Sequence, residues 1–393
     1  MIGRRLAATV SAVALAAGCS GGEPDTVKAT GTLVVGATLE LTGSGAAGGT
    51  AAGNALKIAA DQVNAAGVEV GGRTMTVRVV VRDNRSDPRT AAEQARELVT
   101  DEHAAVLIGG TRLETATAVA NVAQSRQVPM LGLAPENSLV RPAPDHRYVF
   151  KLPANADDVA RLIATRLHRD ARTPVAVLAV AGPYGDEGAS AATAALADAG
   201  VAAAGVTRFP VDAGPAEPGL YEAARQVTTA QPAAAVIWAP VPAAGQAAAA
   251  LRAAGFGGQI VFDPGAGGSE TLAAANRPAV ENSLLAHPAV FDVDRALGND
   301  PLGLARQRFF ERYTRAYGSF NGLAAYASDA LDIVVTAAAA TPDATPQQLR
   351  DAMERTRRQG LTGSYAFSTT NHGGVAPDQL TIFRCERGRW VRT

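Results

Sequence analysis

Four short segments carry the side chains best suited to gripping a small polar molecule. They are Leu41-Thr42-Gly43-Ser44, Gly110-Thr111-Arg112-Leu113-Glu114-Thr115, Leu133-Ala134-Pro135-Glu136-Asn137 and Gly182-Pro183-Tyr184-Gly185. Each follows an apolar run and leads into a helical pattern, so each belongs beyond the carboxyl end of a strand. Helix N-termini there offer unpaired N–H groups. With those amides, the hydroxyls of Thr42, Ser44, Thr111 and Thr115 suit a carboxylate or another acceptor-rich head. Tyr184 suits an apolar or planar part. Helix capping accounts for the four hydroxyls equally well. Trp238, at the end of a strand, reads as lobe core or cleft wall, with ligand stacking as the alternative.

Other chemistries find little support. The five histidines (His103, His146, His168, His287, His372) are scattered, with no H-E-x-x-H or zinc spacing, so no metal site is expected. No G-x-S-x-G elbow, paired catalytic carboxylates or Ser/His/Asp arrangement stands out. Gly43-Ser44-Gly45-Ala46-Ala47-Gly48 matches G-x-G-x-x-G after a strand and before a helix, the context of a dinucleotide fingerprint. Two features oppose that reading. Leu39-Glu40-Leu41-Thr42 separates the first glycine from the strand, and Asp83 lies well beyond the expected spacing of about 20 residues. An enzyme and a cofactor are therefore not expected. A formal net charge of -1 with 19% charged residues implies no basic face, and so no nucleic-acid partner.

The positioning elements alternate. Short apolar strands are expected at 33–35, 77–81, 105–108 and 128–131. Between them lie helices at 54–64, from Pro88, and at 114–124; Leu56, Ala59, Ala60 and Val63 form one stripe of the first. A second series follows Tyr148-Val149-Phe150-Lys151-Leu152. Its strands fall at 175–180, 201–209, 233–238 and 259–262, with helices at 157–167, 187–199, 221–229 and 244–254. Residues 283–341 read as mostly helical. Continuous apolar strands separated by amphipathic helices mean parallel sheets covered on both faces, here twice. The expected fold is α/β, two Rossmann-like lobes with a cleft between them.

The N-terminus sets the location. Arg4 and Arg5 precede an uncharged run, Leu6 to Gly18, that is shorter than the roughly 20 apolar residues of a spanning helix. Leu15-Ala16-Ala17-Gly18-Cys19 resembles the bacterial lipobox, with Ala16 where leucine is usual, and a plain cleaved signal is the alternative. Lipidation at Cys19 is the expectation, with residues 1–19 as signal and 20–31 as a flexible tether. With Cys19 committed to lipid, Cys385, the second of two cysteines, has no partner within the chain.

A family resemblance is carried by Gly36-Ala37-Thr38-Leu39-Glu40-Leu41-Thr42-Gly43, Asp61-Gln62-Val63-Asn64-Ala65-Ala66-Gly67, Gly72-Arg73, Arg82-Asp83-Asn84-Arg85-Ser86-Asp87-Pro88, Val106-Leu107-Ile108-Gly109-Gly110 and Val128-Pro129. In this joint spacing the chain resembles the leucine/isoleucine/valine-binding protein family, the type I periplasmic binding receptors of branched-chain amino-acid ABC importers. The resemblance implies two lobes joined by a three-segment hinge, near Tyr148-Leu152, Asn276-Leu284 and Gly360-Tyr365. It implies an N-terminal lobe of 32–150 plus 281–360 and a C-terminal lobe of 151–280 plus 361–393. It also implies a monomer that captures a small polar solute (an amino acid, an amide or a related carboxylate) by lobe closure, a permease as partner and a lipid anchor on the bacterial cell membrane. A sensor of the same fold, without transport, is the second reading.

Departures from the family concern the ligand. The serine that grips the amino-acid carboxylate falls at Leu113; the alanine is kept at Ala134; the threonine two residues on becomes Glu136. The acid that pairs with the ligand ammonium falls at Gly265, in Phe262-Asp263-Pro264-Gly265. A buried ammonium without a counter-charge is costly. Either Asp263, Glu114 or Glu136 substitutes, or the ligand is not a standard α-amino acid. The second is the expectation here: a thermal-shift screen should show little response to leucine, isoleucine or valine, and clear stabilisation by any of them at low concentration would overturn it.

Overall fold

The computed structural model describes residues 29–210, 217–291 and 300–393; Cys19 and almost all of the expected tether lie outside them. In chain order the first part runs β1 (Gly31–Leu39), α1 (Ala46–Ala66), β2 (Val68–Val70), β3 (Arg73–Asp83), α2 (Pro88–Thr100), β4 (Val106–Gly109), α3 (Leu113–Arg126), β5 (Met130–Gly132) and β6 (Val149–Lys151). The local reasons are ordinary. Apolar β1 and β4 are buried almost throughout. The Asp87 carboxylate caps α2 by accepting from the Thr90 N–H at 2.7 Å, with Pro88 opening the helix. Helix α1 starts well before the expected residue 54, because small Ala51, Ala52 and Ala55 let its N-terminal half lie buried.

The second part runs α4 (Ala156–Arg169), β7 (Val175–Val180), α5 (Pro183–Asp198), β8 (Ala203–Phe209), α6 (Pro218–Thr229), β9 (Ala234–Trp238), α7 (Ala243–Ala253), β10 (Gln259–Phe262), α8 (Arg277–Val280) and β11 (Leu284–Pro288). Beyond it come α9 (Pro301–Tyr317), α10 (Ala324–Ala339), α11 (Pro346–Glu354), the hairpin β12 (Arg357–Gln359) and β13 (Ser364–Ala366), and finally β14 (Leu380–Glu386) and β15 (Arg389–Arg392).

Two large sheets result, with orders β2-β3-β1-β4-β5-β6 and β15-β14-β11-β10-β9-β7-β8. Within each, the five strands β3-β1-β4-β5-β6 and β8-β7-β9-β10-β11 are parallel. In both halves the order reverses beside the first strand, between β1 and β4 and between β7 and β9. Loops on either side of such a reversal diverge and leave a crevice at the carboxyl ends of the strands. The fold is thus the expected α/β pair of Rossmann-like lobes. Helices α9 and α10 return to pack on α1 of the first lobe, while α4 packs on α5, β11 and β14 of the second.

The chain crosses between the sheets three times. The first crossing follows β6. The second was expected at Asn276-Leu284, but Leu284–Pro288 is a strand of the second sheet, parallel to β10 and antiparallel to β14, so the chain leaves only after Pro288. Its alternation-free apolar run hides among helical patterns in the sequence, and its partner β14 lies about a hundred residues away. The third crossing also comes later than Gly360-Tyr365. Those residues form the turn and the start of β13 in the β12–β13 hairpin, held to the first lobe by the buried Asp329 of α10, whose carboxylate accepts from the N–H groups of Leu361 (2.6 Å) and Thr362 (2.9 Å) and from the Thr362 hydroxyl (2.6 Å). The chain then runs beside the first crossing, where the Val375 N–H donates to the Leu152 carbonyl at 3.0 Å, and enters the second sheet at Leu380.

Removing this acceptor strands the Leu361 and Thr362 N–H groups and leaves the Thr362 hydroxyl only Tyr365. Asp329→Ala should therefore lower unfolding free energy by roughly 2–4 kcal/mol, read from the urea midpoint. An unchanged midpoint would show that the loop at 361–365 is not held this way.

Candidate ligand-binding cleft

A cavity of about 470 Å³ lies where the carboxyl ends of the two sheets face each other. Its walls come from the loops after β1, β4 and β5 on one side and after β7, β9 and β10 on the other, with Leu323 and Tyr326 at the start of α10. Of the expected site residues, Ser44, Thr111, Leu113, Glu114, Glu136, Tyr184, Trp238, Asp263 and Gly265 line it. Thr42, Thr115 and Ala134 do not. Thr42 is tied to Asp83, which accepts from its N–H and hydroxyl at 3.1 and 2.8 Å. Ala134 packs in the core beneath the first sheet.

Thr115 is spent on Glu40, a residue the reading of functional side chains passed over. Glu40 is fully buried at the tip of β1. Its carboxylate accepts from the Thr111 N–H (3.0 Å), the Thr111 hydroxyl (2.6 Å) and the Thr115 hydroxyl. Helix α1 lies tight against Glu40: a Cβ on Gly49 would come within 2.1 Å of the Glu40 carbonyl oxygen. An internal carboxylate therefore occupies the donors at the start of α3 that would suit a ligand carboxylate. An acid just before a glycine-rich helix start, two strands away from a T-x-x-x-T pair, is the signal in the sequence that could have pointed to it.

Glu136 is the contrasting case. It is 4% exposed and faces the cavity, and its Oε2 atom has no hydrogen-bond partner. Burial pushes its carboxyl up to about 7, and the neighbouring Glu187 carboxylate pushes the same way. Beneath it the fully buried Lys151 directs its three ammonium hydrogens to the Pro135 carbonyl (2.7 Å), the Asn137 side-chain oxygen (3.2 Å) and the Ala154 carbonyl (3.3 Å). Burial lowers its pKa to about 8, against the pull of Glu187 and Glu136. Glu187, on α5 of the second lobe, accepts from the Asn137 N–H of the first lobe at 2.8 Å, so this corner also joins the lobes.

On the second lobe, Asp263 is fully buried and accepts from the Tyr184 hydroxyl, the Gly265 N–H (2.9 Å) and the Ala239 N–H (3.0 Å). Burial raises its carboxyl to about 7 despite these donors. The pair also explains Gly265: a Cβ there would stand 2.3 Å from the Tyr184 hydroxyl, so no acidic side chain fits. Trp238 forms wall rather than protruding; its indole edge lies on Gly188, where a Cβ would meet Nε1 at 2.1 Å. Glu114 stands at the rim beside Arg112, 3.6 Å away. Among the described residues no cluster of His, Cys, Asp and Glu is arranged to hold a metal ion.

The raised carboxyls make stability depend on pH with a definite sign. Glu136 and Asp263 hold protons in the folded chain that the unfolded chain has lost by about pH 5. The stability they contribute is complete below their unfolded values and falls as pH rises through about 7. Lys151, depressed to about 8, acts oppositely and only above that pH. Buried Asp329, raised to about 6, adds to the fall, while buried His287, lowered to about 4, opposes it up to about pH 6.5. Thermal melts of the unliganded protein should thus show Tm falling between about pH 6.5 and pH 7.5, and Glu136→Gln should shrink the fall. A Tm that rises across this window would contradict the placement of these groups.

Comparison with known proteins follows the same line. The sequence pattern of the periplasmic binding protein family matches residues 32–389. No curated protein matches the chain. Among solved structures, an extracellular ligand-binding receptor from Rhodopseudomonas palustris HaA2 is similar at 22% identity and a TM-score of 0.81, over 92% of this chain and 99% of that one. The leucine-binding protein LivK from Thermotoga maritima MSB8 is similar at 18% identity and a TM-score of 0.75, over 92% and 97%. LivJ from Streptococcus pneumoniae, a branched-chain amino acid transporter substrate-binding protein in complex with isoleucine, gives 20% identity and 0.74, over 91% and 97%. With the family pattern running through both lobes and all three crossings, the chain belongs to the periplasmic binding protein family, in its type I fold.

Proposed function

We propose that this chain is the extracytoplasmic, lipid-anchored solute receptor of an ABC importer of the branched-chain amino-acid type. It captures a small solute by closing two lobes and presents the closed form to a permease. The observation that carries this reading is the cavity walled by strand-end loops from both lobes. A solute touching both walls binds the closed form better than the open one, and that differential affinity drives closure. A dissociation constant near micromolar corresponds to roughly -8 kcal/mol, enough to shift an equilibrium of a few kcal/mol.

The anchor rests on Cys19 at the end of the apolar leader. Each buried methylene of an acyl chain contributes about 0.8 kcal/mol, so several chains on one residue hold durably. No helix among the described residues is long and apolar enough to cross a membrane. Extracytoplasmic placement fits the family, as does the binding of a solute rather than its chemical conversion.

Two measurements test the reading. In cells, Cys19→Ala should move the protein from the membrane pellet to the soluble fraction, and unchanged sedimentation would remove the lipid anchor. In solution, small-angle scattering with a saturating bound solute should show a smaller radius of gyration; a bound solute without compaction would remove the closure mechanism.

A further inference from the structure

Three acids were candidates to replace the missing partner of a ligand head group, and two of them are committed. Both oxygens of Asp263 are taken by Tyr184, Gly265 and Ala239. Glu114 sits at the rim in a pair with Arg112. Glu136 alone of the three is buried on the cavity wall with an unpartnered oxygen. A second orphaned acceptor, the Gln246 side-chain oxygen on α7, lines the same cavity from the opposite lobe. A side-chain amide can present either end, so the carboxylate decides which chemistry is wanted.

The donors that would suit an anionic head are largely engaged: Arg112 lies at the rim beside Glu114, and the buried, unpartnered hydroxyl of Tyr326 on the wall can accept as well as donate. Lys151 uses its three hydrogens on protein oxygens. The Thr111 amide and the Thr111 and Thr115 hydroxyls serve the internal Glu40 carboxylate. A ligand carboxylate would also face Glu136 and Glu187, and like charges at a partly buried site are unfavourable.

Resting on the solute-receptor reading, we propose that this cleft takes a solute whose head is a cationic hydrogen-bond donor, an amine or amidine, with Glu136 as its counter-ion and Gln246 as an acceptor from the second lobe. The remaining wall is an apolar, partly aromatic surround of Trp238, Tyr184, Leu133, Val180 and Val241, which suits a hydrocarbon or aryl body. Acceptors from both lobes give such a head a reason to favour closure. The α-carboxylate of an ordinary amino acid finds the Thr111 and Thr115 donors already occupied by Glu40.

The test uses probes matched in body and different in head, on the mature receptor. Isothermal titration compares 2-phenylethylamine and 3-methylbutylamine with the 3-phenylpropionate and 4-methylpentanoate carboxylates and with their amides. The amines should bind at least tenfold tighter than the matching carboxylates. Glu136→Gln should cost the amines at least tenfold while changing amide binding less than threefold and leaving carboxylate binding unchanged or tighter. Glu136→Asp, which keeps the charge, should retain the preference for amines and so separates loss of the counter-ion from a general failure of the cleft. Carboxylates equal to or tighter than amines, amines that give no heat at all, or amine affinity indifferent to Glu136→Gln would each overturn the assignment. If a carboxylate or amide binds and compacts the protein, the receptor reading stands and only the head-group assignment falls; if bound probes never compact it, the receptor reading itself fails.

Discussion

The buried ammonium of Lys151 is the tie on which the arrangement depends. It sits at the end of β6, where the chain first leaves the first sheet, and no part of it reaches solvent. Its three side-chain bonds hold the loop after β5 and the start of the first crossing. Its backbone pairs with the third crossing, accepting from Gly374 at 3.0 Å and donating to His372 at 2.8 Å. Burying such a charge costs several kcal/mol unless its hydrogens are all matched, so these three strands of chain are held in one geometry. A cleft that must open and close benefits from a corner that does not move.

That corner also places charge. Glu136 lies between two Lys151 partners, Pro135 and Asn137, so the loop that satisfies the lysine also pushes a carboxylate into the cavity. Across the gap, Glu187 reaches the Asn137 amide, which joins the lobes through the same loop. Elsewhere Asp263 is closed off by Tyr184 and Glu40 by two threonines, and Arg112 and Glu114 pair at the rim. The buried charge open to the cleft is thus concentrated at Glu136. Internal carboxylates stand where the resemblance would put ligand groups, and this distinguishes the chain within a shared fold.

Much of the fold was legible because parallel strands leave a strong local trace. The run Val175 to Val180 is continuous and buried on both faces, and the structure begins and ends it at the same residues. The second crossing was misplaced because β11 depends on β14, a partner distant in sequence, and a five-residue apolar stretch looks alike in either state. In the cleft, proximity to strand ends was enough to name nine residues of the wall, since topology alone puts those loops together. What the sequence could not give was the pairing of side chains. Thr115 and Glu40 are 75 positions apart, and only their meeting converts a ligand-facing hydroxyl into a structural one. Gly265 likewise looked like a lost acid until the Tyr184 hydroxyl was found filling the space.

A crystal structure of the receptor purified with its natural solute still bound tests the account most directly. The prediction is a solute nitrogen within hydrogen-bond distance of Glu136 Oε2, atoms of the same molecule touching the second lobe, and Glu40 still held by Thr111 and Thr115. A solute carboxylate resting on Thr111 with Glu40 displaced would contradict it.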